Sequence, residues 1–324
     1  MQSTLSTINL STPKRKKLGT HFKEFWQQRE LQLMVIPFMI LLFIFCYIPM
    51  YGLLMAFQQY KLGDIPGVSP WVGFNHFEML FKSPEFLGIM RNTFGITLLK
   101  LVINFPLPII FAILLNEVKG NLFKRSVQTI SYLPHFVSWV VVAGLVFDFV
   151  SVDGGALNTL LIKIGAIDTP ITFMGEPRFF WSIVVLTDLW KELGWNAIIY
   201  IAAMSAIDPE LYQAADIDGA GRMRKIWHIT LSGIKPTIVI LFILAVSNLL
   251  SAGFEQILLL TNNLANTTVQ DVAEVLDTYV YRTGITQMRY SYATAAGLFK
   301  SLVSVALLTI ANYGARLLGE ESLW

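Results

Sequence analysis

The sequence predicts an all-α membrane protein with six transmembrane helices, and three observations carry this prediction. Of the 324 residues, 54% are hydrophobic and 14% are charged, whereas soluble domains carry roughly 25% charged residues. The thirty residues between Glu30 and Lys61 contain no charge, and ~20 apolar residues are enough to cross a bilayer. The apolar runs are continuous and do not alternate with polar residues, which favours helices over the strands of a membrane barrel.

Six hydrophobic segments follow one another along the chain. The predicted spans cover residues 33–57, 92–116, 127–149, 179–205, 236–258 and 291–315. The basic residues before the first span would suit a signal peptide, but the apolar stretch that follows them is too long for one. A multi-pass membrane protein is therefore expected.

The distribution of lysine and arginine predicts the orientation. With the N-terminus inside, the inner segments hold 14 basic residues and the outer segments hold 7. Cytoplasmic loops carry an excess of Lys and Arg, so both termini are predicted to be cytoplasmic. The single cysteine, Cys46, lies in an apolar run and excludes an intrachain disulfide.

The outer loop near 259–290 contains an amphipathic stretch between Val269 and Val280, whose apolar residues recur at helical spacing. Thr267 and Gln270 suit a capping box at its start. Two interpretations stay open. The helix lies on the membrane surface or against the bundle, or it offers a docking surface to an external partner.

The cytoplasmic loop 206–235 is the segment most informative about function. Asp208 can cap a helix that starts at Pro209, and Gly219 interrupts that helix. A second short helix is predicted from Arg222 to about Leu231, before Pro236 opens the fifth span. A helix–turn–helix with small residues can sit in a groove on another protein, so a docking element is predicted, with an ordinary amphipathic loop as the alternative.

The same loop resembles the EAA loop of binding-protein-dependent ABC importer permeases. The pattern falls on Gln213, Ala214, Ala215, Gly219, Ile229 and Leu231. Gln213 stands where the family has Glu, and Ser232 stands where it has Pro. Residues 155–161 and 207–212 resemble sugar-importer permeases, and residues 277–282, 290–295 and 319–324 resemble more narrowly the LplB-type polysaccharide and oligosaccharide permeases.

The resemblance implies a type I importer permease with a MetI-like core of five helices. The implied division is a cytoplasmic basic segment at 1–32, a first span at 33–57, an external loop at 58–91, a core at 92–316 and a cytoplasmic tail at 317–324. Gln213, Ala214, Ala215, Asp218, Gly219, Ile229 and Leu231 would then form the ATPase-coupling loop.

The resemblance also implies a set of partners in the bacterial inner membrane. These are a second homologous permease, two ATPase subunits and an external solute-binding protein, with an oligosaccharide or polysaccharide as substrate and an acidic, alginate-like polymer as one candidate. The chain has no GxxxxGK[ST] loop. ATP and Mg would therefore be bound by the ATPases, and we expect no enzyme activity, cofactor, metal or nucleic acid on this chain.

Charged residues inside the spans are the candidates for a substrate cavity. A charge at the bilayer centre costs ~2.5–3.5 kcal/mol on insertion scales, so these side chains should face the bundle interior or water. The candidate set is Lys100, Asp188, Trp190, Lys191, Glu192, Trp195, Asn248, Glu255 and Lys300. Either the charges pair with one another, as Asp188 with Lys191 and Glu192 with Lys100 or Lys300, or one lysine stays free for an acidic sugar. Trp190 and Trp195 either stack on sugar rings or pack, and His135 has no predicted chemistry.

Two other classes of protein compete with the importer. An ion-coupled secondary transporter often shows an internal repeat, which this sequence lacks, and it does not need the 206–235 loop. A membrane-embedded enzyme needs a metal or nucleophile motif, and neither HExxH nor GxSxG occurs.

Overall fold

The computed structural model describes residues 28–324 and is helical throughout that range, apart from loops and one isolated β-bridge between Gln58 and Trp71. The predicted basic residues Lys14 to Lys23 lie outside the described residues. The chain divides into two compact units, residues 1–53 and 54–324. The contacts below lie within the second unit.

We number the helices in chain order. They are α1 (Arg29–Phe57), α2 (Asn75–Lys82), α3 (Phe86–Ile103), α4 (Pro106–Glu117), α5 (Asn121–Phe136), α6 (Trp139–Val150), α7 (Ala156–Lys163), α8 (Pro177–Ser205), α9 (Pro209–Ile217), α10 (Arg222–Ser247), α11 (Phe254–Leu260), α12 (Gln270–Ala273), α13 (Leu276–Tyr281) and α14 (Tyr290–Leu317).

Four of the described helical segments are long and apolar enough to cross a membrane: α1, the α3–α4 pair over Phe86–Asn116, α10 and α14. The α5–α6 pair makes a fifth if it counts as one span. Helix α8 has 29 residues, about 43 Å at 1.5 Å per residue, but carries three charged residues in its middle. Its length agrees with a sixth span, although its composition is less apolar.

The predicted third span, 127–149, is wrong as a single straight helix. The chain bends by 102° between α5 and α6. Pro134 cannot donate a backbone hydrogen bond, and it lies in a short 3₁₀ turn that ends α5. Ser138 then starts α6 by accepting a hydrogen bond from the Val141 amide.

The predicted fifth span, 236–258, also differs from the structure. Helix α10 already begins at Arg222 and continues through a π-turn at Ile226–Thr230, so Pro236 lies inside it. The helix ends at Ser247, and a non-helical break precedes α11. Gly253 adopts φ +101° at this break, a conformation that suits glycine. The predicted second helix of the 206–235 loop is therefore the first part of α10.

Three predicted boundaries shift because hydropathy marks the membrane core, whereas helices continue into polar flanks. Helix α1 begins at Arg29, α3 begins at Phe86 within the predicted 58–91 loop, and α14 ends at Leu317. The 58–91 loop also contains the whole of α2.

Close helix contacts hold the bundle around α8. A Cβ atom built on Gly194 of α8 would lie 2.2 Å from the Ser131 carbonyl oxygen of α5, and one on Gly95 of α3 would lie 2.4 Å from the Trp181 ring of α8. Both positions therefore require glycine. Phe180 and Val184 of the same helix are completely buried against Ile257 of α11.

The predicted amphipathic helix at 269–280 is two short helices, α12 and α13, separated at Glu274 and Val275. Val269, Ala273 and Leu276 are buried. The Asn92 side chain of α3 donates hydrogen bonds to the Asp271 and Glu274 carbonyl oxygens at 2.9 and 3.0 Å. The apolar face therefore packs on the bundle, as one of the two interpretations predicted, and is not free to dock a partner.

Candidate functional site

The loop between α8 and α10 forms a short, well-capped helix followed by a turn. The Asp208 side chain accepts a hydrogen bond from the Glu210 amide at 2.9 Å, which caps α9 as predicted. Gly219 has φ +72°, and the Ala220 amide then donates to the Ala215 carbonyl oxygen at 2.8 Å. This left-handed residue ends the helix in the manner of a Schellman motif.

Side-chain contacts fix α9 against its neighbours. The Tyr212 hydroxyl lies 2.9 Å from the Thr230 hydroxyl of α10, and Lys225 pairs with Asp216 at 2.6 Å. Arg222 pairs with Glu117 at the end of α4. Helix α9 is therefore held against α10, and α10 is in turn linked to the end of α4.

The outer surface of this element is apolar and accessible. Ile217 is 88% exposed, and Leu211, Met223 and Trp227 are also exposed. An open pocket of about 430 Å³ adjoins them; Ala215, Asp218, Ala220, Arg224, His228 and Ile229 contribute to its lining.

The predicted coupling residues fall on the two sides of this element. Gln213, Ala214, Asp218 and Gly219 are exposed, and Ala215 is half-buried. Ile229 and Leu231 are also half-buried, and Leu231 packs against the cluster around Ile234 and Tyr200. The first group lies on the surface, whereas Leu231 anchors the loop to the bundle.

Lys100 of α3 lies at the centre of a polar network. Its ammonium contacts Asp188 at 2.9 Å, Gln256 at 2.9 Å and the Ala252 carbonyl oxygen at 3.0 Å. An ammonium has three hydrogens to donate, and these three acceptors use all of them. The Asn104 side chain donates to the other Asp188 oxygen at 2.7 Å.

A second charge cluster lies where α5 ends against α8. Lys191 is nearly buried, contacts Glu192 at 3.3 Å and donates to the His135 carbonyl oxygen. The His135 ring nitrogen lies 2.7 Å from the other Glu192 oxygen. The same ring stacks on Trp195 with its centroid 4.1 Å away.

The third intramembrane lysine, Lys300 of α14, pairs with Asp277 of α13. Each of the three lysines therefore has an acidic partner. Mutual pairing, one of the two predicted alternatives, describes the structure, but the partners differ from the predicted ones. Asp188 meets Lys100 and not Lys191, and Lys300 meets Asp277 and not Glu192.

The remaining candidates lie apart from one another. Trp190 lines an apolar groove of about 460 Å³ between α6 and α8. Asn248 lines a smaller pocket of about 210 Å³ beside Lys100, at the break after α10. Glu255 is exposed in the first turn of α11. Among the described residues no group of three or more His, Cys, Asp or Glu could hold a metal ion.

Sequence reasoning missed three members of these clusters. Asn104 lies four residues after Lys100, so helical spacing alone would place both on one face. Asp277 and His135 gave no such signal, because each meets its partner only through the tertiary fold.

A family model now identifies the class of protein. The model described as "binding-protein-dependent transport system inner membrane component" matches residues 104–319. That range contains the α8–α10 loop and the charged residues of α8, whereas Lys100 lies just before it.

Curated relatives match almost the whole chain. The polygalacturonan/rhamnogalacturonan transport system permease protein YteP of Bacillus subtilis (strain 168) is 46% identical, over 92% of this chain and 91% of its own length. Protein LplB of the same strain is 44% identical, over 92% of each.

Solved structures share the fold. One is a bacterial alginate ABC transporter in complex with an alginate pentasaccharide-bound periplasmic protein; a chain of it is 39% identical, covers 93% of this chain and 99% of its own length, and superposes with a TM-score of 0.84. A second, an ABC transporter that imports the acidic polysaccharide alginate, gives 40% identity and a TM-score of 0.83. With the family model and these relatives, the conclusion is that the chain is a transport component and not an enzyme, and that it belongs to the family of inner membrane components of binding-protein-dependent transport systems.

Proposed function

We propose that this chain is one of two permease subunits of an ATP-driven importer for acidic oligosaccharides, with α9 and the turn at Gly219 as the element that couples it to an ATPase. The second permease, two ATPases that bind ATP and Mg, and an external solute-binding protein complete the complex. Both termini are cytoplasmic in this proposal.

The observation that carries the coupling role is the exposed apolar surface of α9 and the start of α10. An exposed side chain such as Ile217 is common by itself, but Leu211, Ile217, Met223 and Trp227 are exposed on one short element that is braced by Tyr212 and Lys225. Exposed apolar side chains gathered on one element are typical of protein or membrane interaction sites, and we assign this element to a protein because it also carries the pattern of the EAA loop. A rigid element is also what transmission of a conformational change requires.

The substrate class is inferred from the relatives. Polygalacturonan is by its name a polymer of an acidic sugar, and alginate is described as an acidic polysaccharide. Because Lys100 has no hydrogen left to donate and Lys191 and Lys300 are paired, we propose that this chain contacts sugar hydroxyls and rings. Asn248 at the helix break and the half-exposed Trp190 and Trp195 are the candidates. The carboxylates would then be neutralised by the second permease.

Purification from native membranes tests the complex. A tagged chain should recover a second permease and an ATPase, identified by mass spectrometry. Ile217→Asp should lose the ATPase and keep the second permease. Ile164→Asp, an exposed residue just after α7, is the matched control and should keep both.

The reconstituted complex tests the substrate. ATP hydrolysis should be stimulated by the solute-binding protein loaded with oligogalacturonate or oligoalginate, and not by the protein loaded with a neutral oligosaccharide. Transport by this chain alone without ATP would instead indicate the secondary transporter.

A further inference from the structure

Residues 58–82, which the sequence suggests to be an external loop, fold into an ordered segment. The completely buried Gln58 accepts a hydrogen bond from the Gly67 amide at 2.9 Å. The Gln59 amide donates to the Pro70 carbonyl oxygen at 2.8 Å, and the Val72 amide donates to that of Phe57 at 2.9 Å. A chain bonded to itself in this way presents a defined surface.

This segment lies along the first turns of α14. The Tyr60 amide donates to the Ser291 hydroxyl at 3.0 Å, at the start of that helix. Phe81 of α2 meets Phe299 edge-on, with 5.4 Å between ring centroids. Phe299 is eight residues further along α14 than Ser291, about 12 Å at 1.5 Å per residue. The segment therefore follows the helix inward and does not only cover its tip.

The covered face of α14 continues as a lipid-type surface. Leu302, Ile310, Tyr313 and Leu317 follow Phe299 at spacings that keep them on one side of the helix, and all four are exposed and mostly apolar. Phe81 caps the end of this apolar stripe. The segment lies at the end of this stripe. Its outward side therefore faces the layer next to the medium that the stripe faces.

The outward side has the composition of a membrane interface. Trp71 is 61% exposed and Phe74 is 73% exposed, and Leu62, Ile65, Val68 and Met79 are exposed with them. The exposed Lys82 and Glu78 pair with each other beside these side chains. Aromatic residues with flanking lysine are typical of the boundary between hydrocarbon and headgroups, and an amphipathic helix buries its apolar face there.

We propose that residues 58–82 are a membrane-interface anchor whose exposed aromatic face inserts into a lipid leaflet. The leaflet is the one away from the 206–235 loop, because Lys235 pairs with Glu320 at the far end of α14. The partner is the lipid surface. The segment covers the outer turns of α14, so that the segment itself, and not this part of α14, contacts lipid.

Spin labels on cysteine measure which medium each position meets. In a Cys46→Ala background, Trp71→Cys, Phe74→Cys and Met79→Cys are labelled in the assembled complex in lipid nanodiscs. The ratio of collision with oxygen to collision with a water-soluble nickel chelate is then compared with two references. Leu302→Cys reports the lipid-facing stripe, and Asp168→Cys, which is exposed in the loop after α7, reports water.

The anchor predicts a high oxygen-to-nickel ratio at all three positions, severalfold above Asp168→Cys and approaching Leu302→Cys. A ratio equal to that of Asp168→Cys would overturn the proposal, because the face would then meet water. Low accessibility to both reagents would also overturn it and would indicate cover by a protein. A ratio that changes only when the solute-binding protein is added would assign the face to docking of that protein. Met79 is exposed and does not belong to the aromatic pairs of this segment, so Met79→Cys reports even if the other two substitutions disturb the fold.

Discussion

Lys100 has the environment of a structural ion and not of a substrate ligand. Its three hydrogens reach three acceptors that belong to α8, α11 and the break before α11. It therefore ties the backbone of the break before α11 to the side chains of two neighbouring helices. The cation neutralises Asp188, and it also satisfies a carbonyl oxygen that the break leaves without a helical partner.

Removal of this cation should destabilise the fold more than it weakens transport affinity. Lys100→Met leaves Asp188 charged and partly buried, which typically costs ~3–5 kcal/mol. The apparent melting temperature of the purified complex should fall, and the double variant Lys100→Met with Asp188→Leu should recover much of the loss. Lys82→Met is the control, because its pair with Glu78 is exposed and such pairs contribute little. An unchanged melting temperature with a raised KM for Lys100→Met would show a substrate role instead.

At Gly219, substitution is limited by the backbone conformation and not by the space available to a side chain. Its φ is +72°, and no atom lies within 4 Å of a Cβ built on it. A left-handed conformation costs an L-residue about 1–2 kcal/mol, and Asn tolerates it best. Gly219→Val should therefore unwind the turn after α9, and substrate-stimulated ATP hydrolysis should be lost while membrane insertion is kept.

The chain offers a matched control two residues away. Gly221 also has open space around it, but its φ is −67°, so Gly221→Val should leave stimulated hydrolysis nearly unchanged. Gly219→Asn should retain most of it. Equal loss at both positions would mean that side-chain bulk on this surface matters, and not the turn.

At the scale of elements, the short helices α12 and α13 depend on side chains from the bundle. Asn92 is 1% exposed and binds two of their carbonyl oxygens. Arg282 bridges Glu274 and Glu85. Burial opposes its charge, but the hydrogen bonds to Glu274 and Glu85 dominate and raise the pKa of Arg282 above its ordinary value.

Asn92→Ala should loosen this pair of helices locally. It leaves the buried Glu274 carbonyl oxygen without this donor, a penalty of about 1–3 kcal/mol for a buried unsatisfied group, whereas the Asp271 carbonyl oxygen keeps a hydrogen bond from Arg91. Amide hydrogen exchange should accelerate over residues 270–281 and stay unchanged in α8. The exposed Asn75→Ala should change neither region, and uniform acceleration in the Asn92 variant would indicate global destabilisation.

Those elements also show what could be predicted from the sequence. The spans α1 and α14 are found as long apolar helices, α14 in spite of Lys300 within it, because mean hydropathy over the whole segment defines them. The cap at Asp208 and the break at Gly219 are confirmed because each depends on one local residue. The bend at Pro134 and the break at Gly253 were not predicted, because hydropathy does not change across them. Proline and glycine were the available signals there.

The sequence predicts that charged side chains inside the spans face a partner or water, but it does not predict which residues pair. A charge inside a span must face a partner or water, so pairing of the intramembrane lysines with acids was one of the two alternatives that the sequence offered, beside one lysine left free. Which acid each lysine meets depends on the rotation of α3, α8 and α14 about their axes. Sequence spacing fixes contacts within one helix and leaves those between helices open.

For the whole molecule, the orientation in the membrane determines which partners each end of the bundle can reach. The 206–235 loop and the tail lie together at one end of α14, because Lys235 pairs with Glu320. Tyr60 contacts the other end of the same helix. If the excess of basic residues on the first side follows the positive-inside rule, that side is cytoplasmic and can reach an ATPase.

Cysteine labelling from each side of the membrane decides the orientation. In a Cys46→Ala background, Ile217→Cys and Asp168→Cys both lie on exposed positions, at opposite ends of the bundle in the proposed topology. A membrane-impermeant maleimide added to intact spheroplasts should label Asp168→Cys and leave Ile217→Cys unlabelled until the membrane is opened. The reverse pattern would put α9 outside, where no ATP is available, and the coupling role of α9 would fail while the fold stayed as described. Labelling of both positions in intact spheroplasts would place both loops on the same side of the membrane. That result would contradict the proposed topology, because an odd number of spans separates the two loops.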